Sequence, residues 1–125
     1  MQEVAVELLG SPAFGRHLRQ LHRSLRVRRA VLLEALATRL PQVEVTGVPA
    51  GGLHLWVRLP PGVDSTDLAL RAGAVGVAVG DGASFYCAAA RRDRLRLSFG
   101  AGDEPHLRDG VARLAVVMAA AQASG

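Results

Sequence analysis

The chain has 125 residues, of which 50% are hydrophobic and 21% are charged, so it is long enough for one domain with a buried core and is not typical of disorder. The formal net charge of +4 comes from fifteen basic residues, all of them arginine, scattered among carboxylates as on an ordinary domain surface. Because the chain contains no lysine, it offers no side-chain amine for Schiff-base chemistry.

The N-terminal residues and the cysteine content exclude several protein classes. Met1–Gly10 carries Glu3 and Glu7 and lacks the basic region of a signal peptide, and no apolar stretch is long enough to span a membrane. A single cysteine, Cys87, excludes an internal disulfide. We therefore expect a cytoplasmic protein without a membrane partner.

A long helix is predicted first. Ser11-Pro12 places a capping hydroxyl before a proline at the first helical position, and helical spacing of apolar residues continues to Leu40, before Pro41. An arginine stripe lies opposite the apolar side chains, and we interpret it as solvated or as touching another domain. Nucleic-acid binding is the less favoured alternative, because stacking aromatics and a helix-turn-helix pair are not evident. The apolar side chains at the beginning of the helix are Phe14, Leu18, Leu21 and Leu25, and the stripe is Arg16, Arg19, Arg23 and Arg26.

Alternating apolar and polar residues predict strands at 43–47, 53–59 and 94–99, and Val75, Val77 and Val79 predict another that Gly80-Asp81-Gly82 ends. Asp64 or Ser65 caps a predicted helix over 66–74, and Asp103 with Glu104 begins the last one. The order is α-β-β-α-β-β-α. Strands with one polar face predict an α+β fold, a small, mostly antiparallel sheet with helices packed on one face, in a single domain over 1–125. The last helix has an apolar stripe of Leu107, Val111, Leu114 and Met118.

Four stretches, in this order and at this spacing, resemble a known family. They are residues 17–36 (HLRQLHRSLRVRRAVLLEAL), 49–64 (PAGGLHLWVRLPPGVD), 76–86 (GVAVGDGASFY) and 95–100 (LRLSFG), the last followed by a helix containing GVARLA. Together they resemble the C-terminal small domain of class I/II aminotransferases of pyridoxal-phosphate (PLP) fold type I. The nearest groups are the α-aminoadipate/kynurenine-type aminotransferases and the aminotransferase-like domain of MocR (GntR-family) regulators.

The resemblance implies that Arg96 binds the α-carboxylate of an amino-acid substrate. Independently, a guanidinium fork matches a carboxylate, and Leu95 and Leu97 anchor the strand so that Arg96 projects from its other face. The alternative is an ordinary ion-paired surface arginine, and we expect neighbouring Arg94 to be solvated.

The family match further places Gly51, Gly52 and Tyr86 in loops near the active site, although a plain turn and an aromatic packing residue are the alternatives. The family commonly has Pro-Gly where this chain has Asp81-Gly82. We predict no catalytic residue in this chain. We also predict no metal ligands, because the four histidines and Cys87 lack ligand spacing.

By resemblance, this is the small domain of a PLP-dependent aminotransferase, inactive alone because the large domain with its lysine, phosphate-binding loop and pyridine-pairing acid is missing. The cofactor is then PLP in the full-length protein, with none bound covalently by this chain. The partners are the large domain, an amino acid or 2-oxo acid, and a second full-length copy in a homodimer. The alternative is the effector-sensing domain of a GntR/MocR-type transcriptional regulator, which contacts DNA only through a missing domain; a third is an interaction role for the free-standing chain.

Overall fold

A computed structural model describes residues 12–47, 53–84, 92–100 and 102–124. The predicted loop residues Gly51, Gly52 and Tyr86 lie outside these residues, as do Ser11 and Cys87. Their predicted roles are therefore unchanged by the structure.

The described elements follow the predicted order of helices and strands. One 3₁₀ turn, Gly82–Ser84, is added after the third strand. The elements are α1 (Pro12–Arg39), β1 (Glu44–Gly47), β2 (His54–Arg58), α2 (Ser65–Ala74), β3 (Gly80–Asp81), β4 (Arg94–Ser98) and α3 (Glu104–Ser124).

The sheet is antiparallel throughout, with strand order β1-β2-β4-β3. One face of its central strands is buried, and the side chains there pack with those of all three helices in one core. The fold prediction, a small antiparallel sheet covered by helices on one face, is confirmed. The buried strand residues are Leu55, Val57, Leu95 and Leu97.

Helix α1 contributes to the core only through its second half. Its buried residues begin at Val31, whereas Leu18 and Leu21, predicted to lie on the apolar side, are 38% and 45% exposed. The periodicity predicted the helix but not where its packing begins. An apolar stripe is buried only where another element covers it, and the described part of the chain places the core beside residues 31–40.

The predicted strand at Val75–Val79 is wrong. The backbone N–H of Val75 and that of Val77 both donate to the carbonyl of Ala72, at 3.1 and 2.9 Å, so these residues close the end of α2. Gly76 makes this possible, because its φ of +83° is a conformation that other residues seldom adopt. The strand instead comprises Gly80 and Asp81, the residues expected to end it.

Both predicted helix starts are confirmed. The Asp64 carboxylate accepts a hydrogen bond of 3.0 Å from the backbone N–H of Asp67 at the start of α2. The Asp103 carboxylate accepts one of 3.0 Å from the N–H of His106 at the start of α3. These carboxylates satisfy amides that no helical carbonyl can reach.

Candidate functional site

The face of β2 and β4 that points away from the helices carries the candidate site, and we call it the open face. The strand register pairs His54 with Ser98, Trp56 with Arg96, and Arg58 with Arg94. Side chains directly opposite each other on an antiparallel pair have Cβ atoms about 4.5–5.5 Å apart. The open face is therefore a compact polar surface, and it defines the environment of the predicted carboxylate-binding arginine.

Arg96 lies at the middle of β4, where the sheet is held most firmly. Its neighbours in the chain, Leu95 and Leu97, are buried in the core, so alternation directs Arg96 to the open face. Trp56 is its partner on one side and Gly80 its partner on the other. Because Gly80 has no side chain, the guanidinium has a large aromatic neighbour on one flank only.

The other two arginines of the open face are ion-paired within the chain. The Arg94 side chain is 14% exposed, and its Nη1 lies 3.0 Å from a carboxylate oxygen of Asp93. The expectation that Arg94 is solvated is therefore wrong, since the preceding Asp93 holds it against the protein. Arg58 pairs with Glu44 across β1 and β2, where both side chains are well exposed.

His54 is a feature of the open face that the sequence did not single out. Its Nδ1 atom is buried and has no hydrogen-bond partner in the described part of the chain. A buried polar atom without a partner costs about 1–3 kcal/mol. The signal available in the sequence was only its position, two residues before Trp56 on the same side of the strand.

Asp81 forms a hydrogen-bonded cluster at the edge of the sheet. Its carboxylate accepts hydrogen bonds of 2.6 Å from the Ser65 and Thr66 hydroxyls and one of 3.0 Å from the Ala83 N–H. Burial raises the pKa of Asp81, but these three hydrogen bonds and the charge of Arg92 outweigh it, so its pKa is lower than usual. Sequence reasoning missed this cluster, although adjacent hydroxyls at a helix start were a signal.

A cavity of about 470 Å³ lies elsewhere, between the first half of α3 and the segment after α2. Arg96 is not among the described residues that line it. Its walls are mostly the apolar side chains Leu32, Val77, Val79, Leu97, Leu107 and Leu114. The arginine and the cavity are therefore on opposite sides of the sheet.

Two general searches complete the description of the site. In the part of the chain that the structure describes, no cluster of three or more His, Cys, Asp or Glu side chains could hold a metal ion. Within residues 12–47, 53–84, 92–100 and 102–124, no helix combines the length and apolar character needed to cross a membrane.

No protein-family model matches the chain. Individual relatives do match. The HTH-type transcriptional regulator YdfD of Bacillus subtilis is 29% identical over 94% of this chain and 24% of its own length. Aromatic-amino-acid aminotransferase 1 of Thermococcus litoralis is 29% identical over 91% of this chain and 27% of its own length. The structure of LysN, an α-aminoadipate aminotransferase from Thermus thermophilus, superposes with a TM-score of 0.82 at 29% identity, over 91% of this chain and 29% of that one.

These matches cover nearly all of the chain but only a small part of each relative. Across the first four curated relatives, the chain spans between 24% and 29% of their length. The homologues are aminotransferases and HTH-type regulators, and the structural neighbours are aminotransferases of PLP fold type I. The resemblance is confirmed: this chain is a small-domain homologue of the class I/II aminotransferases of PLP fold type I and of the MocR/GntR-type regulators.

Proposed function

We propose that the domain supplies Arg96 to bind the carboxylate of an amino-acid substrate in a PLP-dependent aminotransferase, and that the chain has no transaminase activity alone. The observation that carries the proposal is the position of Arg96 at the centre of the open face, between Trp56 and Gly80. The reaction would transfer an amino group from an amino acid to a 2-oxo acid.

Arg96 can bind and orient a carboxylate because its guanidinium offers two parallel N–H donors to two carboxylate oxygens. A bidentate pair fixes the rotation of the bound group as well as its position. The anchoring of Leu95 and Leu97 in the core limits the movement of the strand backbone that carries Arg96. Trp56 covers one flank of the site and keeps water from that side, which strengthens the charge interaction.

The residues of this chain do not fit covalent attachment of PLP, because the sequence contains no lysine. When bound in the full-length protein, PLP withdraws electrons from the amino acid as its amino group is transferred. The attachment lysine and the phosphate-binding groups would then belong to the rest of the parent protein. Mass spectrometry of the purified chain, after PLP and borohydride treatment, should find no side-chain adduct. An adduct on a side chain would contradict this part of the proposal, whereas one on the terminal amine would not.

The central experiment compares Arg96→Ala and Arg96→Lys with the unchanged full-length protein. Loss of a bidentate pair should weaken amino-acid binding by about tenfold to a hundredfold and leave PLP binding nearly unchanged. Lysine should recover only part of the loss, because it cannot form the fork. Titration of the PLP-loaded protein with an amino acid, and of the apoprotein with PLP, gives the two affinities.

The matched control is Arg58→Ala, which removes another arginine from the open face. Arg58 is paired with Glu44 at the exposed side of the sheet, so its loss should leave both affinities unchanged. Equal loss of amino-acid and PLP binding in Arg96→Ala would assign Arg96 a structural role and contradict the proposal.

The second candidate function is an effector-sensing domain of a MocR/GntR-type regulator. It is favoured by the similarity to YdfD, which extends over 94% of the chain. Arg96 would then bind the carboxylate of an effector, and DNA would be contacted through a separate domain. The coding sequence upstream of this chain discriminates the two: a winged-helix segment favours the regulator, and a large domain without one favours the enzyme. The homodimer implied by the family stays a prediction for the full-length protein in both cases.

A further inference from the structure

We propose that Asp81 is a positioning residue for Arg96: its carboxylate ties β3 to the start of α2 and so holds Gly80 beside Arg96. The proposal deepens the proposed function and rests on the role of Arg96 in carboxylate binding. Asp81 itself makes no contact with the ligand in this arrangement.

The tie consists of three short hydrogen bonds to one carboxylate. The Ser65 and Thr66 hydroxyls each donate over 2.6 Å, one to each carboxylate oxygen, and the Ala83 N–H donates over 3.0 Å. Ser65 is fully buried. Hydrogen bonds to an ionised acceptor are about twice as strong as neutral ones, so this contact joins α2 and β3 firmly.

The tie matters because β3 is very short. It has two residues, and its register places Gly80 opposite Arg96 and Asp81 opposite Leu95. Two residue pairs alone give little resistance to fraying at a sheet edge. Gly82 shows how closely the next residue lies on β4, since a Cβ there would be 2.5 Å from the Arg94 carbonyl oxygen.

A second set of contacts closes the same ring from the other end of β4. The Ser65 N–H donates to the Arg92 carbonyl at 2.7 Å, and the Leu59 N–H donates to the Asp93 carbonyl at 2.7 Å. The start of α2 is thus fixed both to the turn before β4 and, through Asp81, to the strand beside it. Releasing Asp81 opens this ring on the side next to Arg96.

The expected consequence is a less precise Arg96. A bidentate site requires its groups to be held within about 0.5 Å of the productive geometry. When Gly80 is no longer held, the backbone of Arg96 loses its neighbour at the sheet edge, and the orientation of the guanidinium becomes broader. The affinity for a carboxylate falls although no contact with the ligand is removed.

The experiment measures amino-acid and PLP affinities of the full-length protein with Asp81→Ala and Asp81→Asn. Asp81→Ala should weaken amino-acid binding by about tenfold and leave PLP affinity unchanged. Asp81→Asn should recover part of the loss, because its amide oxygen still accepts a hydrogen bond from a hydroxyl. Asp109→Asn is the matched control; it removes an exposed carboxylate paired with Arg113 on α3 and should change neither affinity.

A double-mutant cycle with Arg96→Ala shows whether Asp81 acts through Arg96. Asp81→Ala should add no loss of amino-acid affinity in the Arg96→Ala background. Full additivity, a parallel fall of both affinities, or wild-type affinity in Asp81→Ala would each overturn the positioning role. If Arg96→Ala alone leaves amino-acid affinity unchanged, the proposed function fails first. Should Asp81→Ala not fold, Ser65→Ala removes one of the three hydrogen bonds and should give a smaller loss of the same kind.

Discussion

The two faces of the β2–β4 pair differ in what their side chains contribute. On the covered face, Leu55, Val57, Leu95 and Leu97 are buried against three helices, and their burial stabilises the domain. On the open face, a residue away in each strand, lie Trp56, Arg96 and other polar side chains. The alternation of one short strand thus separates stability from chemistry. Substitutions one residue apart should therefore have effects of different kinds.

The largest expected contrast is between Leu95→Ala and Arg96→Ala. Leu95 is 0% exposed, so its truncation should lower the free energy of unfolding by about 2–5 kcal/mol. Arg96→Ala should change it by less than about 1 kcal/mol, because its side chain lies on the open face. Urea denaturation of both variants measures the difference. Similar losses from the two substitutions would show that the two faces do not divide the roles in this way.

The next effect concerns pH and the carboxylate of Asp81. Since its pKa is lowered in the folded state, the ionised group stabilises the fold above its unfolded pKa, and this contribution is lost as pH falls through the folded pKa. Asp81→Asn should cost about 1–2 kcal/mol at neutral pH, and the difference should narrow below about pH 4. Urea denaturation across this range tests it. A difference independent of pH would mean that the charge of Asp81 contributes nothing.

A smaller effect should come from the cap of α2, the helix that packs Leu68 and Ala72 onto the covered side. Asp64→Ala removes the acceptor for the Asp67 N–H and should cost about 1 kcal/mol. Thermal denaturation followed by circular dichroism is sufficient to measure it. Asp64→Asn keeps an acceptor at the same position and should restore most of the loss. If it does not, the hydrogen bond is not the cause.

The smallest effect is expected on the open face itself. Glu44→Gln breaks the ion pair with Arg58, both of whose side chains are well exposed. Exposed pairs are worth little, so the free energy of unfolding should change by less than about 0.5 kcal/mol, and less still in high salt. Parallel denaturation in low and high salt measures it. A loss above about 1 kcal/mol would mean that the open face also supports the fold.

The sequence predicted those elements whose burial follows a regular period. β2 and β4 were predictable because one face of each is buried, and α3 because its stripe of Leu107, Val111, Leu114 and Met118 is buried along its length. β3 was not, because the three valines before it have the alternation of a strand while the N–H of Val77 completes the end of α2. Local composition does not determine which partner a backbone donor chooses.

The candidate site was predictable to the same extent. The direction of Arg96 followed from its buried neighbours, because alternation in a strand leaves only two choices. The Asp81 cluster joins side chains 15 and 16 positions apart, and such a contact depends on how α2 returns to the sheet. The unpartnered His54 Nδ1 depends likewise on the atoms that enclose it. Periodicity predicts the face on which a residue lies but not its partners.

Helix α1 has a mechanical consequence for any larger assembly that contains this domain. None of residues 12–30, all of which the structure describes, is buried, whereas the core holds residues 31–40. At 1.5 Å per residue, the unburied part is a stiff rod roughly 28 Å long. If the domain turns as a unit about the core by about 10°, the far tip of the rod sweeps roughly 5 Å. A small rotation near Arg96 is thereby converted into a displacement large enough to engage or release a distant surface.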